Sequence, residues 1–154
     1  MFSKILVALD GSTEAEVGLP FALELAKRFD AAIVLLEVTP EPHIVAATIA
    51  ESFGASGSVA AQDGTAVAAE SAATAYLDAV REKYGNPAWQ LVVAGGKAAD
   101  AIVTYAEEAE IDLIVIATQG RSGLKRLFIG SVADDVIRNG HTPVLVVHAN
   151  ASAR

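Results

Sequence analysis

Five short apolar runs, residues 5–9, 31–38, 89–94, 113–117 and 144–147, limit the possible folds of this chain more than any other feature. Most are continuously apolar, whereas a strand with one wet face would alternate. A strand reads that way when helices cover both faces of its sheet, which is the condition of parallel sheets. Between the runs lie stretches of helical composition at 13–29, about 64–84, 98–109 and 132–139. Right-handed crossovers then give a doubly wound sheet, and one reversal of winding is needed to cover both faces. The expectation is a five-stranded parallel α/β fold of strand order 3-2-1-4-5, with helices on both faces. At 154 residues, the range 1–154 reads as a single domain.

Helix punctuation supports that division. Thr13 and Glu16 have the spacing of a capping box, and Pro20 predicts a kink or a delayed start in the first helix. Gly85 and Pro87 stop the second helix. Ser131, with Asp134 three residues on, reads as the N-cap of the last, and Gly140 as the left-handed residue that follows it. The segment 39–62 is too long for an ordinary connection. It reads as an excursion over the carboxyl ends of the strands with a short helix around 44–52, or equally as an insertion without a role.

Composition narrows the function. The chain is 53% apolar with a formal charge of -8, which argues against nucleic acid as a partner, since such binding needs a broad basic face. Cysteine is absent, so disulfides and thiol chemistry are excluded. The apolar runs are far shorter than the ~18 residues of a membrane span, and Asp10 interrupts the N-terminus before a signal-peptide core forms. The expected location is the cytoplasm, away from membranes.

Against this acidic background, Arg121, Lys125 and Arg126 place three of eleven basic residues in one short loop, which also holds Gly120, Gly123 and Gly130. Glycines that tolerate positive φ let backbone N–H groups converge on an anion, and a helix opening at Ser131 would aim its own free N–H groups there. A glycine-rich surface loop with a solvated basic face explains the same spacing. In doubly wound sheets, ligands bind beyond the carboxyl ends of the strands at the winding reversal. Here that point lies between the first and fourth strands, where the loop would meet Asp10-Gly11-Ser12.

Together, VALDGS near the start, GGKAADAIVTYAEEAEIDLIVIATQG in the middle and GRSGLKRLFIGSVADDVIRNGHTPVLVV at the end resemble the universal stress protein family across nearly the whole chain except 39–62. Members of the family that bind ATP carry glycine, two residues, glycine, nine residues, then glycine and serine or threonine. Gly120 and Gly130-Ser131 fit this pattern, while its first position is Ala117. The resemblance implies ATP with Mg²⁺, Asp10 on the ribose, Val38 beside the adenine, and Gly120, Gly130, Ser131 and Val132 around the phosphates. Ala8, Ala117, Arg121 and Gly123 complete the expected binding set. The residues alone leave other roles open: Asp10 as a turn acid, Val38 as core, and Ser131 as a helix cap. The family also implies a homodimer through the last strand, whose VLVV core is too apolar for an exposed edge.

Other chemistry finds less support. Gly96-Lys97 lacks the leading glycine and the hydroxyl of a P-loop, and no G-x-S-x-G elbow occurs. His43, His141 and His148 have no partner at a metal-binding helical spacing, so no protein metal site is expected. Nothing supplies an obvious general base. Any catalysis would be weak ATP hydrolysis or self-phosphorylation at a hydroxyl such as Ser122 or Ser131. Two readings follow: an ATP-binding regulatory or stress-response module, or a dimeric interaction module of the same fold that has lost ATP.

Overall fold

The computed structural model describes residues 2–40, 62–118 and 130–149, apart from the side chains of residues 62 and 63. The order of elements is β1 (Lys4–Leu9), a 3-10 turn (Ala15–Gly18), α1 (Leu19–Phe29), β2 (Ala32–Thr39), α2 (Gln62–Tyr84), β3 (Gln90–Gly95), α3 (Ala98–Glu108), β4 (Leu113–Thr118), α4 (Ser131–Asn139) and β5 (Val144–His148). All four strand pairings are parallel, and the sheet order is β3-β2-β1-β4-β5, as expected. Nearly all of the 39–62 excursion, and the loop carrying Gly120, Arg121 and Gly123, lie outside the described residues.

The uniform apolarity of the strands has its explanation in two packed layers. Alternate residues point to opposite faces of a sheet. Ile5, Val7 and Leu9 of β1 and Val115 of β4 join Leu19, Ala22 and Leu77 on one face, beneath α1 and α2. Leu6 of β1 and Ile114 and Ile116 of β4 join Ile102, Ala133 and Val136 on the other, beneath α3 and α4. β1 therefore has no wet face, and a polar residue at any position from Ile5 to Val7 would be buried.

The chain's punctuation bears out the delayed start at Pro20 and differs from the sequence reading in four places. The segment after Thr13 first forms the 3-10 turn, and α1 begins only at Leu19 with Pro20 in its first turn, so the proline marks a delayed start. The Thr13–Glu16 capping box does not form: Ser12 Oγ accepts the Ala15 N–H at 3.2 Å, and Glu16 is held by Lys83 Nζ at 2.6 Å. Ser131 is the first residue of α4 and Gly130 is its N-cap, while Asp134 turns along the helix to Arg138 at 2.8 Å. Gly130 itself has φ -53 and ψ 150, so no positive φ calls for glycine there.

Gly140 is the fourth correction. Its φ of -93 and ψ of 158 are extended, not left-handed. A Cβ at this position would lie 2.9 Å from the Val136 carbonyl oxygen and 3.3 Å from Val103 Cγ2, so glycine is required chiefly by the last-turn carbonyl of α4 itself, with Val103 of α3 crowding the same spot. Gly140→Ala should therefore destabilise the protein by about 1–2 kcal/mol through overpacking. Urea denaturation checks this; a midpoint equal to the parent's would show that the contact relaxes freely.

Candidate functional site

Winding reverses between β1 and β4. β1 is followed by elements on one face and β4 by α4 on the other, so their outgoing connections part above the carboxyl ends of the two strands. A cleft of about 190 Å³ lies there, lined by Asp10, Ser12, Glu14 and Ala15 from the β1 side and by Ile116, Ala117, Thr118 and Gly130 to Ala133 from the β4 side.

The two walls differ in electrical character. On the α4 wall the first intrahelical bond runs from Asp134 N to Gly130 O at 2.9 Å. The N–H groups of Ser131, Val132 and Ala133 consequently have no acceptor within the helix, and among the described residues no side chain caps them. That end of the helix presents partial positive charge to the cleft. The facing wall is acidic. Asp10 Oδ1 accepts hydrogen bonds from Ser12 N at 3.0 Å and Ser12 Oγ at 2.5 Å, which fix the carboxylate in a tight turn. Gly11, inside that turn, has φ 80, a conformation that side chains oppose.

A second carboxylate lies behind the turn. Glu37 of β2 is the strand partner of Leu9, and burial followed by repulsion from Asp10 pushes its carboxyl above the ordinary range. Tyr76 of α2 is displaced upward as well, by burial and then by Glu16, Glu37 and Asp10. Its hydroxyl lies 3.5 Å from the Ser12 carbonyl oxygen.

Of the residues expected to bind a cofactor, Asp10, Ala117, Gly130, Ser131 and Val132 converge on this cleft. Ala8 and Val38 instead pack against the α3 and α4 layer. Ala117 has no positive φ and sits in register with Val147 inside β4, so its methyl group is carried on ordinary strand backbone. Gly120, Arg121 and Gly123 lie outside the described residues. Thr118 and Glu37 were missed. Thr118 lines the cleft, is only 6% exposed and approaches His148 Nδ1 at 3.3 Å through its hydroxyl. The signal for both was a lone polar residue in or at the end of an apolar run. Among the described residues no helix is long and apolar enough to cross a membrane, and no group of three or more acidic or histidine side chains could hold a metal.

Comparison with known proteins agrees with this architecture. The model of the universal stress protein family matches residues 1–148. The chain is similar to universal stress protein MJ0531 of Methanocaldococcus jannaschii, with 31% identity over 147 residues, 96% of this chain and 82% of that protein. Among solved structures, MJ0577 of the same organism has a TM-score of 0.72 at 25% identity, covering 99% of each chain. A universal stress protein solved in complex with cAMP has a TM-score of 0.59 at 23% identity, covering 97% of this chain and 98% of that one. With the family pattern spanning all five strands and both walls of the cleft, this chain belongs to the universal stress protein family.

Proposed function

We propose that the chain is an ATP-binding universal stress protein that acts as a regulatory or stress-response module in the cytoplasm. The observation that carries this reading is the cleft's polarity: a fixed carboxylate, Asp10, on one wall and the unpaired N–H groups of Ser131, Val132 and Ala133 on the other. A 5′-nucleotide has the complementary order, hydroxyl donors on its ribose and negative charge on its phosphates. Asp10 accepts from the ribose, while Gly130, Ser131 and Val132 hold the phosphates at the helix terminus. Gly120, Arg121 and Gly123 extend the cradle, and Val38 and Ala8 serve the adenine side through the family resemblance. The fold carries an adenine nucleotide in the protein solved with cAMP.

Mg²⁺ fits as part of the ligand. The donors near the α4 wall are a hydroxyl, Ser131, and backbone N–H groups, which suit phosphate better than a bare cation. Bound with the nucleotide, the ion would supply charge neutralisation for the phosphates, and Ser131 would be the side chain beside them. Slow hydrolysis or self-phosphorylation is the most that this set of groups would support.

Ala117 favours the second reading, an interaction module without ATP, because it replaces the first glycine of the ATP-binding pattern. Its ordinary strand backbone weighs against that reading, since one methyl group on an extended residue obstructs little. Both readings include a homodimer through β5, which among the described residues pairs only with β4 and so forms a sheet edge. The bonds from Ile114 N to Pro143 O and from Ala149 N to Thr118 O fix which β5 groups face inward. By alternation, the N–H groups of Val144 and Val146 point to the open edge.

Calorimetry with ATP and Mg²⁺ should detect binding by the parent, and Ala117→Gly should change affinity by at most about tenfold, roughly 1.4 kcal/mol. A silent parent beside a tightly binding Ala117→Gly would favour the module without ATP. Val146→Pro should convert a dimer to monomer while leaving the bonds to β4 in place. Light scattering at tens of micromolar decides it, and a monomeric parent would exclude the β5 dimer.

A further inference from the structure

We propose that Glu37 determines specificity in the nucleotide cleft: its carboxylate, lodged behind Gly11 and close to Asp10, makes the ribose end accept free hydroxyls and reject a phosphate ester. The inference rests on the reading that Asp10 faces the ribose.

Glu37 is the one charged residue in the β2 sequence AIVLLEVT. Alternation places it on the same face as Ile33 and Leu35, beneath α1 and α2, where a leucine or valine would serve packing better. Its strand partner is Leu9, so it stands one residue short of Asp10 on the neighbouring strand. A Cβ added at Gly11 would come 3.7 Å from Glu37 Oε1, which sets the carboxylate directly against the turn that walls the cleft. The other oxygen, Oε2, is buried without a hydrogen-bond partner among the described residues. Leaving a carboxylate oxygen in that state opposes folding. A group held at such a cost, adjacent to a binding wall, calls for a functional explanation.

Among the described residues the charges that act on it have one sign. Asp10 repels Glu37 from the turn, and the Tyr76 phenol of α2 feels Glu37, Asp10 and Glu16 of the 3-10 turn. Lys83, at the end of the same helix as Tyr76, is engaged by Glu16. Among the described residues neither Asp10 nor Glu37 pairs with a lysine or arginine. Glu37 is half-buried with Oε2 turned away from solvent, so its charge is only partly screened across the thin Gly11 turn. The cleft is therefore negative at the Asp10 end and positive at the α4 end. A nucleotide phosphorylated only at its 5′ position matches both ends. A second phosphate at the 2′ position would bring like charge against two carboxylates.

The test compares ATP with 2′-phospho-ATP by calorimetry at low salt and about pH 8, where carboxylates are ionised. The parent should prefer ATP by about tenfold or more. Glu37→Gln keeps the shape and removes the charge, and should narrow that ratio about fivefold while ATP affinity moves less than about threefold. Glu37→Asp keeps the charge and should keep the preference. In the parent the preference should fall as pH drops through the raised Glu37 range and the carboxyl takes up a proton; in Glu37→Gln it should fall less, by only what protonation of the 2′-phosphate near pH ~6 contributes. Folding provides a control. A raised native pKa means that the ionised form costs stability above it, so Glu37→Gln should be at least as stable as the parent at neutral pH, and any advantage should vanish in acid. An ATP to 2′-phospho-ATP ratio unchanged in Glu37→Gln overturns the inference alone. A parent that binds no ATP overturns the proposed function and this inference with it.

Discussion

The pairing of β1 with β4 is the constraint from which the rest of this structure follows. Its register, Ile5 with Leu113 through Ala8 with Ile116, places two largely buried strands side by side at the centre of the sheet. They are joined indirectly, because β2 and β3 are built outward on one flank before the chain returns to β4 on the other. Right-handed crossovers then send the element after β1 to one face and the helix after β4 to the opposite face. The crevice between those departures is a product of winding. Its chemistry comes from the residues that happen to end each strand.

Those residues give the cleft a direction. The β4 side ends in a helix terminus whose N–H groups have no side-chain cap among the described residues, and the β1 side ends in a carboxylate fixed by its own turn. Ser12 links the first wall to the fold: it donates to Asp10, accepts from Ala15 and through its carbonyl approaches Tyr76 of α2. Gly11 makes the turn possible through its positive φ and leaves space beside Glu37. Packing and electrostatics therefore converge on three consecutive residues.

Much of this was legible in the sequence, because continuous apolarity has a single physical cause in a soluble α/β chain, burial on both faces. That signal gave five strands, their parallel pairing and a reversal that brings Asp10 to Ser131. Features that depend on tertiary distance were not legible. Gly140 looked like a left-handed helix terminator but is small because the Val136 carbonyl, and behind it Val103, leave no room for a Cβ, and Gly130 looked conformational although its backbone suits any residue. Ser131 looked like a cap because it precedes a helical pattern, yet the helix already includes it. Glu37 and Thr118 read as interruptions of apolar runs until strand register set one behind Asp10 and the other inside the cleft.

The polarity of the cleft is open to direct observation by amide chemical-shift mapping with ATP and Mg²⁺. Residues on both walls, Gly11 and Ser12 on one and Ser131, Val132 and Ala133 on the other, should show the largest perturbations, with the helix amides responding to the phosphates even when ribose-modified nucleotides are used. Perturbations confined to the ends of β2 and β3, around Thr39 and Gly95, would place the ligand elsewhere and contradict a nucleotide site at the winding reversal.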